Sequence, residues 1–382
     1  MTPIEHDSLV TNLPREYYFS EAIFEQELDK VLARQWLLVG HVSLVKNPGD
    51  YYVRQVGPES LIIARDRNGR VRAYFNVCRH RGSRILANGE AGQTRGFVCP
   101  YHKWTYDTEG CLIGAPGIRD GKSLQFAQWP LHEAHCESWY GWLYVHLGAE
   151  PPQPLAQVLG PLTDTAAMQQ VDSERLRLAH RETYLINANW KALLENNMEC
   201  YHCGAAHPSL SISCDYHKFY ADQRDGSHFP LHPGMATFSM DGARVCSKAL
   251  GESLPEGFST GFLLQPNFCG PVFFVDHAVS LELTPLSRDR TQLICEWYVH
   301  EEAVEGVDYD LEALIRVFHV TNQEDGALAE QNYLGMKSRR FVPGPLHPQR
   351  EDGVQMALRR YLEMMAAEGH PRDQSSRSES SA

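Results

Sequence analysis

Asn76-Val77-Cys78-Arg79-His80-Arg81-Gly82-Ser83, followed after a gap of eighteen residues from His80 by Cys99-Pro100-Tyr101-His102-Lys103-Trp104-Thr105-Tyr106-Asp107, decides how this chain is read. Each loop offers one thiolate and one imidazole, in the pattern C-x-H-x18-C-x2-H. Zinc accepts the same ligand types, but zinc fingers pair two cysteines and then two histidines, whereas here each loop gives one of each. A [2Fe–2S] cluster with one iron on two cysteines and the other on two histidines needs this inventory. Exchanging two anionic thiolates for neutral imidazoles raises its potential. The pairs therefore mark an electron-transfer site.

Outward from these loops, Leu38 to Pro154 reads as short β runs separated by turn signals. Leu61 to Ala64, Val71 to Val77 and Trp139 to Leu147 are examples, with Asn68-Gly69 a hairpin turn. Upstream, residues 16–37 have helical periodicity with Ser20 as N-cap. Pro151-Pro152-Gln153-Pro154 reads as a domain linker. Beyond it, Leu176 to Asn187 and Phe262 to His300 read as strands, the second broken by Pro271, Pro285 and Asp289. Trp190 to Tyr201 and Asp308 to Met336 read as helices. The organisation expected is an N-terminal helical segment over 1–37, a cluster domain over 38–155, a second domain over 156–366 and a disordered polar tail over 367–382.

The chain has 382 residues, 43% hydrophobic and 22% charged, as in soluble globular proteins. No stretch of about 18 apolar residues offers a membrane anchor. The start, Met1-Thr2-Pro3-Ile4-Glu5-His6, lacks the basic and apolar regions of an export signal, so a cytoplasmic location is expected. Ten cysteines in that setting point to thiols and metal ligands rather than disulfides. A net charge of −13, from 48 acids against 35 Lys plus Arg, disfavours nucleic acid and mildly favours a cationic ligand.

A second group of metal ligands lies in Asn189 to Pro208, N-W-K-A-L-L-E-N-N-M-E-C-Y-H-C-G-A-A-H-P. His202 and His207 are five residues apart, which a regular helix would separate by about 140°. Bringing both rings together requires a helix end or bulge, and Pro208 limits the helix there. Downstream, Glu324, Asp325 and Glu330 offer carboxylates on the long helix. Two histidines and one carboxylate on one face suit non-haem Fe(II) and leave three positions open. Cys200 and Cys203 flank His202 but do not repeat the cluster pattern, and read as packing or neutral thiols.

The N-V-C-R-H-R-G-S and C-P-Y-H-K-W-T-Y-D loops, with E-C-Y-H-C-G-A-A-H-P and the downstream Asp, resemble the Rieske non-haem iron oxygenases over residues 15–365. Respiratory Rieske proteins carry an extra cysteine in each loop, where this chain has Ser83 and Tyr101. The resemblance implies an α+β chain, with an all-β Rieske [2Fe–2S] domain plus a helix-on-antiparallel-sheet (helix-grip, START-like) catalytic domain. Cys78, His80, Cys99 and His102 would hold the cluster; His202, His207 and Asp325 would hold the mononuclear iron, with Glu324 the neighbouring candidate. Glu199, three residues before His202 on the same helix face, would bridge to a cluster histidine of a neighbouring subunit, where most ring-hydroxylating members have Asp.

The same resemblance implies a homotrimer, O2 as co-substrate, and NAD(P)H electrons delivered by a separate flavin and iron–sulfur reductase. The Glu199 variant, with H-P-S-L, Ser239 to Gly251, Val299 to Asp310 and Pro343 to Pro345, is similar to the branch acting on quaternary ammonium compounds. The expected reaction is oxidative N-demethylation of proline betaine or glycine betaine, with formaldehyde released. Ring hydroxylation or O-demethylation of an aromatic acid is the enzymatic alternative, and an electron carrier without oxygen chemistry the alternative of another class. A quaternary cation is recognised by aromatic faces. Phe219, Tyr220, Phe262, Phe274, Trp297 and Tyr333 are the aromatics available in the second domain.

Overall fold

The computed structural model describes residues 11–150, 152–218, 229–262 and 270–367. The initial Met1 to His6 segment, Phe219, Tyr220 and the tail from 368 onward lie outside these residues. Among the described residues, no helix is long and apolar enough to cross a membrane.

The N-terminal segment is two helices rather than one. Glu16–Phe19 stops at Ser20, whose extended backbone (φ −84°, ψ 121°) turns the chain while its hydroxyl accepts from the Ile23 amide to start Glu21–Lys30. These helices pack on the distant C-terminal half. The Lys191 ammonium is buried between the rings of Tyr18, Trp190 and Tyr361 and donates to Glu27 at 2.6 Å. A buried ammonium needs such partners, so one lysine ties three separated segments together.

Strand β1 (Leu37–His41) then opens a seven-stranded antiparallel sheet of order β1-β10-β9-β4-β3-β2-β5. Its other members are β2 (Asp50–Val56), β3 (Glu59–Arg65), β4 (Val71–Phe75), β5 (Ala91–Gln93), β9 (Glu133–Trp139) and β10 (Trp142–His146). The β3–β4 turn forms at Asn68-Gly69, with Gly69 at φ +83° and the Asp66 carboxylate accepting from the Asn68 and Arg70 amides. A second, three-stranded sheet, β6 (Gly96–Val98), β7 (Thr105–Asp107) and β8 (Leu112–Gly114), projects from it. The two Cys/His loops follow β4 and β6.

The rest of the chain folds on a five-stranded antiparallel sheet, β11-β15-β14-β13-β12, with β11 at Leu176–Ile186, β12 at Ser259–Gly261, β13 at Pro271–Phe274, β14 at Ala278–Ser287 and β15 at Arg290–His300. Pro285 stays inside β14, where the register shifts between Pro285 and Ser287 and no ladder donor is required of it. Helix Leu311–Met336, capped by the Asp310 carboxylate, packs along β11 and against helix Trp190–Asn197. This is an α+β chain with a helix laid on an antiparallel sheet.

The two sheets are joined by buried charge. Arg54 of β2 reaches Glu296 of β15 at 2.8 Å and Glu282 of β14 at 3.4 Å, while Arg181 of β11 meets Glu296 at 2.5 Å. Burial alone would raise the Glu296 carboxyl, but Arg54 and Arg181 outweigh it and hold it at about 2. Glu282, farther from the Arg54 guanidinium, is pushed by burial up to about 7.

Candidate metal centres

The two Cys/His loops are built alike. In each, the cysteine amide donates to the carbonyl five residues on, Cys78 to Ser83 at 2.9 Å and Cys99 to Trp104 at 2.8 Å. The amide four residues on returns to the cysteine carbonyl, Gly82 to Cys78 at 2.9 Å and Lys103 to Cys99 at 3.0 Å. Both straps close through a left-handed residue, Gly82 at φ +73° and Lys103 at φ +61°. Glycine takes that conformation freely; at Lys103 it costs about 1–2 kcal/mol.

The loops bring the four ligand side chains together. His80 and His102 have ring centroids 4.6 Å apart, and His80 stacks on Trp104 at 4.8 Å. Cys78 and Cys99 are buried, whereas His80 is exposed. Burial raises the Cys78 thiol; the Tyr106 hydroxyl, 3.4 Å from its sulfur, works the other way, and the adjacent Cys99 raises it again. Two buried thiols beside each other favour a cation that takes both as thiolates. The sulfurs lie inward and the imidazoles outward, which fits a [2Fe–2S] cluster held with its histidine iron toward solvent.

The second centre forms where a helix stops. Trp190–Asn197 ends earlier than the sequence periodicity suggests, the Met198 amide closing on the Leu194 and Glu195 carbonyls. Glu199 therefore does not share a helix face with His202. Instead, one oxygen of its carboxylate accepts from the Tyr201 and His202 amides in a turn, and the other lies 2.5 Å from His202 Nδ1. A short helix, Cys203–Ala206, follows, with His202 and His207 at its two ends. That break brings the five-residue pair together, with ring centroids 5.0 Å apart.

Asp325, on the long helix, completes the group. Its Oδ1 is 3.2 Å from His202 Nε2 and 3.0 Å from His207 Nε2. Each imidazole is held from behind, His202 Nδ1 by Glu199 and His207 Nδ1 by Glu324 at 2.8 Å. Glu324 thus backs a histidine, and Asp325 faces the point where both Nε2 atoms converge. His207 Nε2 is buried and has no hydrogen bond, despite the nearby carboxylate. Three donors on one face of an octahedron with bonds of about 2.1 Å stand about 3.0 Å apart, and the donor set is that of the two-histidine, one-carboxylate iron site. The residues fit such an ion.

With protons alone holding the group, burial pulls His202 down, but Asp325 and Glu199 outweigh it and carry the imidazole to about 9. His207 is raised against burial by Asp325 and Glu324, and Asp325 is lowered against burial by both imidazoles. Glu330, the other carboxylate on this helix, lies elsewhere and accepts from the Asn187 amide.

Cys200 and Cys203 are not free thiols. They form a disulfide across the turn that carries His202, with Cα atoms 4.9 Å apart, well inside the bridging range. The expectation of thiols throughout is corrected here: the i, i+3 spacing across this turn puts the pair within bonding reach.

A cavity opens on His202, His207 and Asp325. Phe229, Phe238 and Phe318 line it, Phe238 and Phe318 meeting edge to face at 4.9 Å, with Phe274 stacked behind Phe238 at 5.6 Å. None of the four described aromatics singled out from the sequence lines it. Phe262, Phe274, Trp297 and Tyr333 are buried in the core. The lining rings come from loops and a helix far apart in sequence, and no local spacing signals them.

Comparison with known proteins places this geometry. A Rieske [2Fe-2S] domain model matches residues 35–129, and a ring hydroxylating alpha subunit (catalytic domain) model matches residues 173–367. The glycine betaine monooxygenase oxygenase subunit of Pseudomonas aeruginosa is 31% identical, over 93% of this chain and 89% of that protein. The putrescine 2-hydroxylase of Ralstonia nicotianae is 29% identical, over 90% and 93%. The solved structure of a quaternary ammonium Rieske monooxygenase described in relation to carnitine oxidation superposes with a TM-score of 0.74 at 25% identity, covering 93% and 95% of the two chains.

Proposed function

That this chain belongs to the Rieske non-haem iron oxygenases, as an alpha subunit joining a [2Fe–2S] domain to a mononuclear-iron catalytic domain, is the premise from which we propose an O2-dependent oxidative N-demethylase of a quaternary ammonium compound. Cys78, His80, Cys99 and His102 would hold the cluster; His202, His207 and Asp325 would hold the mononuclear iron. When bound, the cluster supplies single electrons and the mononuclear iron supplies O2 activation beside the substrate. A separate reductase draws the electrons from NAD(P)H.

The convergence of both Nε2 atoms on Asp325 Oδ1 at the floor of a phenylalanine-lined cavity carries this reading. Glu199 and Glu324 accept from the outer imidazole nitrogens, so each Nε2 presents its lone pair inward. Phe229, Phe238 and Phe318 give the N-methyl cation π faces and exclude water. Net atom transfer takes one oxygen of O2, two electrons and two protons. One N-methyl becomes N-hydroxymethyl, water leaves, and the carbinol gives up its O–H proton as its C–N bond breaks, yielding formaldehyde, a tertiary amine and one proton. Glu199, held against His202 Nδ1, would offer the route by which an electron from a cluster histidine of the neighbouring subunit in a homotrimer arrives at His202. Proline betaine and glycine betaine are the substrates we favour.

The test is formaldehyde formed per O2 consumed by the purified protein with a compatible reductase and NADH. Proline betaine, glycine betaine, carnitine and choline would be run against aromatic carboxylates. Formaldehyde tracking oxygen with one cation names the substrate; hydroxylated aromatic product without formaldehyde overturns the proposal. The 29% identity to putrescine 2-hydroxylase supports a second reading, hydroxylation of an amine at a methylene carbon. Putrescine belongs in the same assay, where oxygen uptake with hydroxyamine and no formaldehyde would decide for it.

A further inference from the structure

We infer that the Cys200–Cys203 disulfide is a reversible redox site that keeps a fourth protein ligand off the mononuclear metal, an inference resting on the His202/His207/Asp325 reading above. Both cysteines are buried, at 5% and 4% exposure, and both line the cavity that holds His202, His207 and Asp325. Cys203 Sγ, a ring nitrogen of His202 and a ring nitrogen of His207 all lie within 4.8 Å of one another. Two donors on opposite sides of a metal, one nitrogen at about 2.1 Å and one sulfur at about 2.3 Å, are roughly 4.4 Å apart. That bound admits Cys203 as a further donor to a metal held by the two histidines, and its bond to Cys200 takes it out of the donor set.

The geometry of the turn makes the two states exclusive. Cys200 follows Glu199 directly, and Cys203 follows His202 directly, so the disulfide spans the peptide that orients the metal ligand and its supporting carboxylate. A disulfide sulfur has no anionic lone pair to compete with the imidazoles, whereas a thiolate is a stronger donor than either. Reduction by a phosphine breaks the S–S bond with two electrons: the disulfide, the phosphine and one water give two thiols and the phosphine oxide. Cys203 then loses its proton to solvent as its sulfur bonds to the metal, filling a position that O2 or substrate requires. Hydrogen peroxide restores the resting state. One thiol forms a sulfenic acid and water, and the second thiol displaces another water to close the bridge. The iron site would thus be turned down under reducing conditions and released by peroxide.

Zinc in the mononuclear site of the full chain, with its cluster intact, reads this out separately from turnover, because the zinc absorption edge does not overlap the cluster's iron. We expect the oxidised protein to show only nitrogen and oxygen neighbours. After phosphine treatment and desalting, a sulfur shell at about 2.3 Å should appear. Cys200→Ser leaves Cys203 free and should show that shell without reductant; Cys203→Ser should never show it. Thiol alkylation and mass spectrometry before and after peroxide should find the pair closing. A nitrogen and oxygen shell alone in both the reduced wild type and Cys200→Ser overturns the inference, as does a pair that peroxide fails to close. Zinc uptake unchanged in Asp325→Ala and His207→Ala would instead sink the metal-site reading on which it rests.

Discussion

His207 Nε2 faces Asp325 Oδ1 across 3.0 Å with no hydrogen bond between them. A neutral imidazole whose Nδ1 proton goes to Glu324 turns its Nε2 lone pair toward that carboxylate, and the two repel unless a proton or a metal ion lies between them. Asp325→Ala should therefore lower the iron content from about three to about two per chain while the cluster's visible and EPR spectra persist. Metal analysis alongside those spectra checks this; three irons retained would contradict it.

Glu199 meets His202 at 2.5 Å through a turn rather than a helix face, so side-chain length matters there. Glu199→Gln and Glu199→Asp should each lower turnover on the order of 10–100-fold. Single-turnover kinetics should place the loss in electron arrival at the mononuclear site, with cluster reduction by the reductase unchanged.

Phe318→Leu keeps the apolar bulk of the cavity wall and removes the ring. For a cation, KM should rise roughly 2–30-fold, the equivalent of about 0.5–2 kcal/mol of cation–π attraction. A neutral isostere of the substrate should show little change in binding.

Glu195 is buried, accepts from the Tyr18 hydroxyl at 2.5 Å, and is pushed by burial from 4.5 to about 7. Its folded value lies above its unfolded one, so its contribution is fully present below about pH 4.5 and is lost as pH rises through about 7. Between pH 5 and 8 the wild-type Tm should fall more than that of Glu195→Gln, which carries no charge to desolvate. Parallel thermal melts across that range test it.

Arg54→Met leaves Glu296 and Glu282 buried without their shared guanidinium. Removing one partner from such a cluster costs about 3–5 kcal/mol. Denaturant titration should show that loss at neutral pH, and a smaller one at pH 4, where Glu282 is protonated.

The sequence exposed the candidate metal ligands because cluster and iron chemistry demand rare residue types at short spacings, as in Cys78-x-His80 and Cys99-x2-His102. Strand runs and the Ser20 cap were legible for the same local reason. The wall of the cavity was not: Phe229, Phe238 and Phe318 meet only after sheet and helix are assembled, and each looks like any core phenylalanine. The Cys200–Cys203 bridge stayed hidden because cysteines in a chain read as lacking an export signal are expected as thiols. Arg54 gave no warning either, since a charged residue on a strand ordinarily faces water.

Arg54, Arg181, Glu282 and Glu296 also say where this protein can be cut. The proline-rich stretch near residue 151 invites grafting a foreign electron-transfer module onto this catalytic half. Such a hybrid would present two acidic side chains to a surface chosen by another lineage. A workable graft must carry β2 with its arginine, or replace the acids of β14 and β15 together with it. The interchangeable unit is the charge cluster, and the linker is only where the backbone happens to pass.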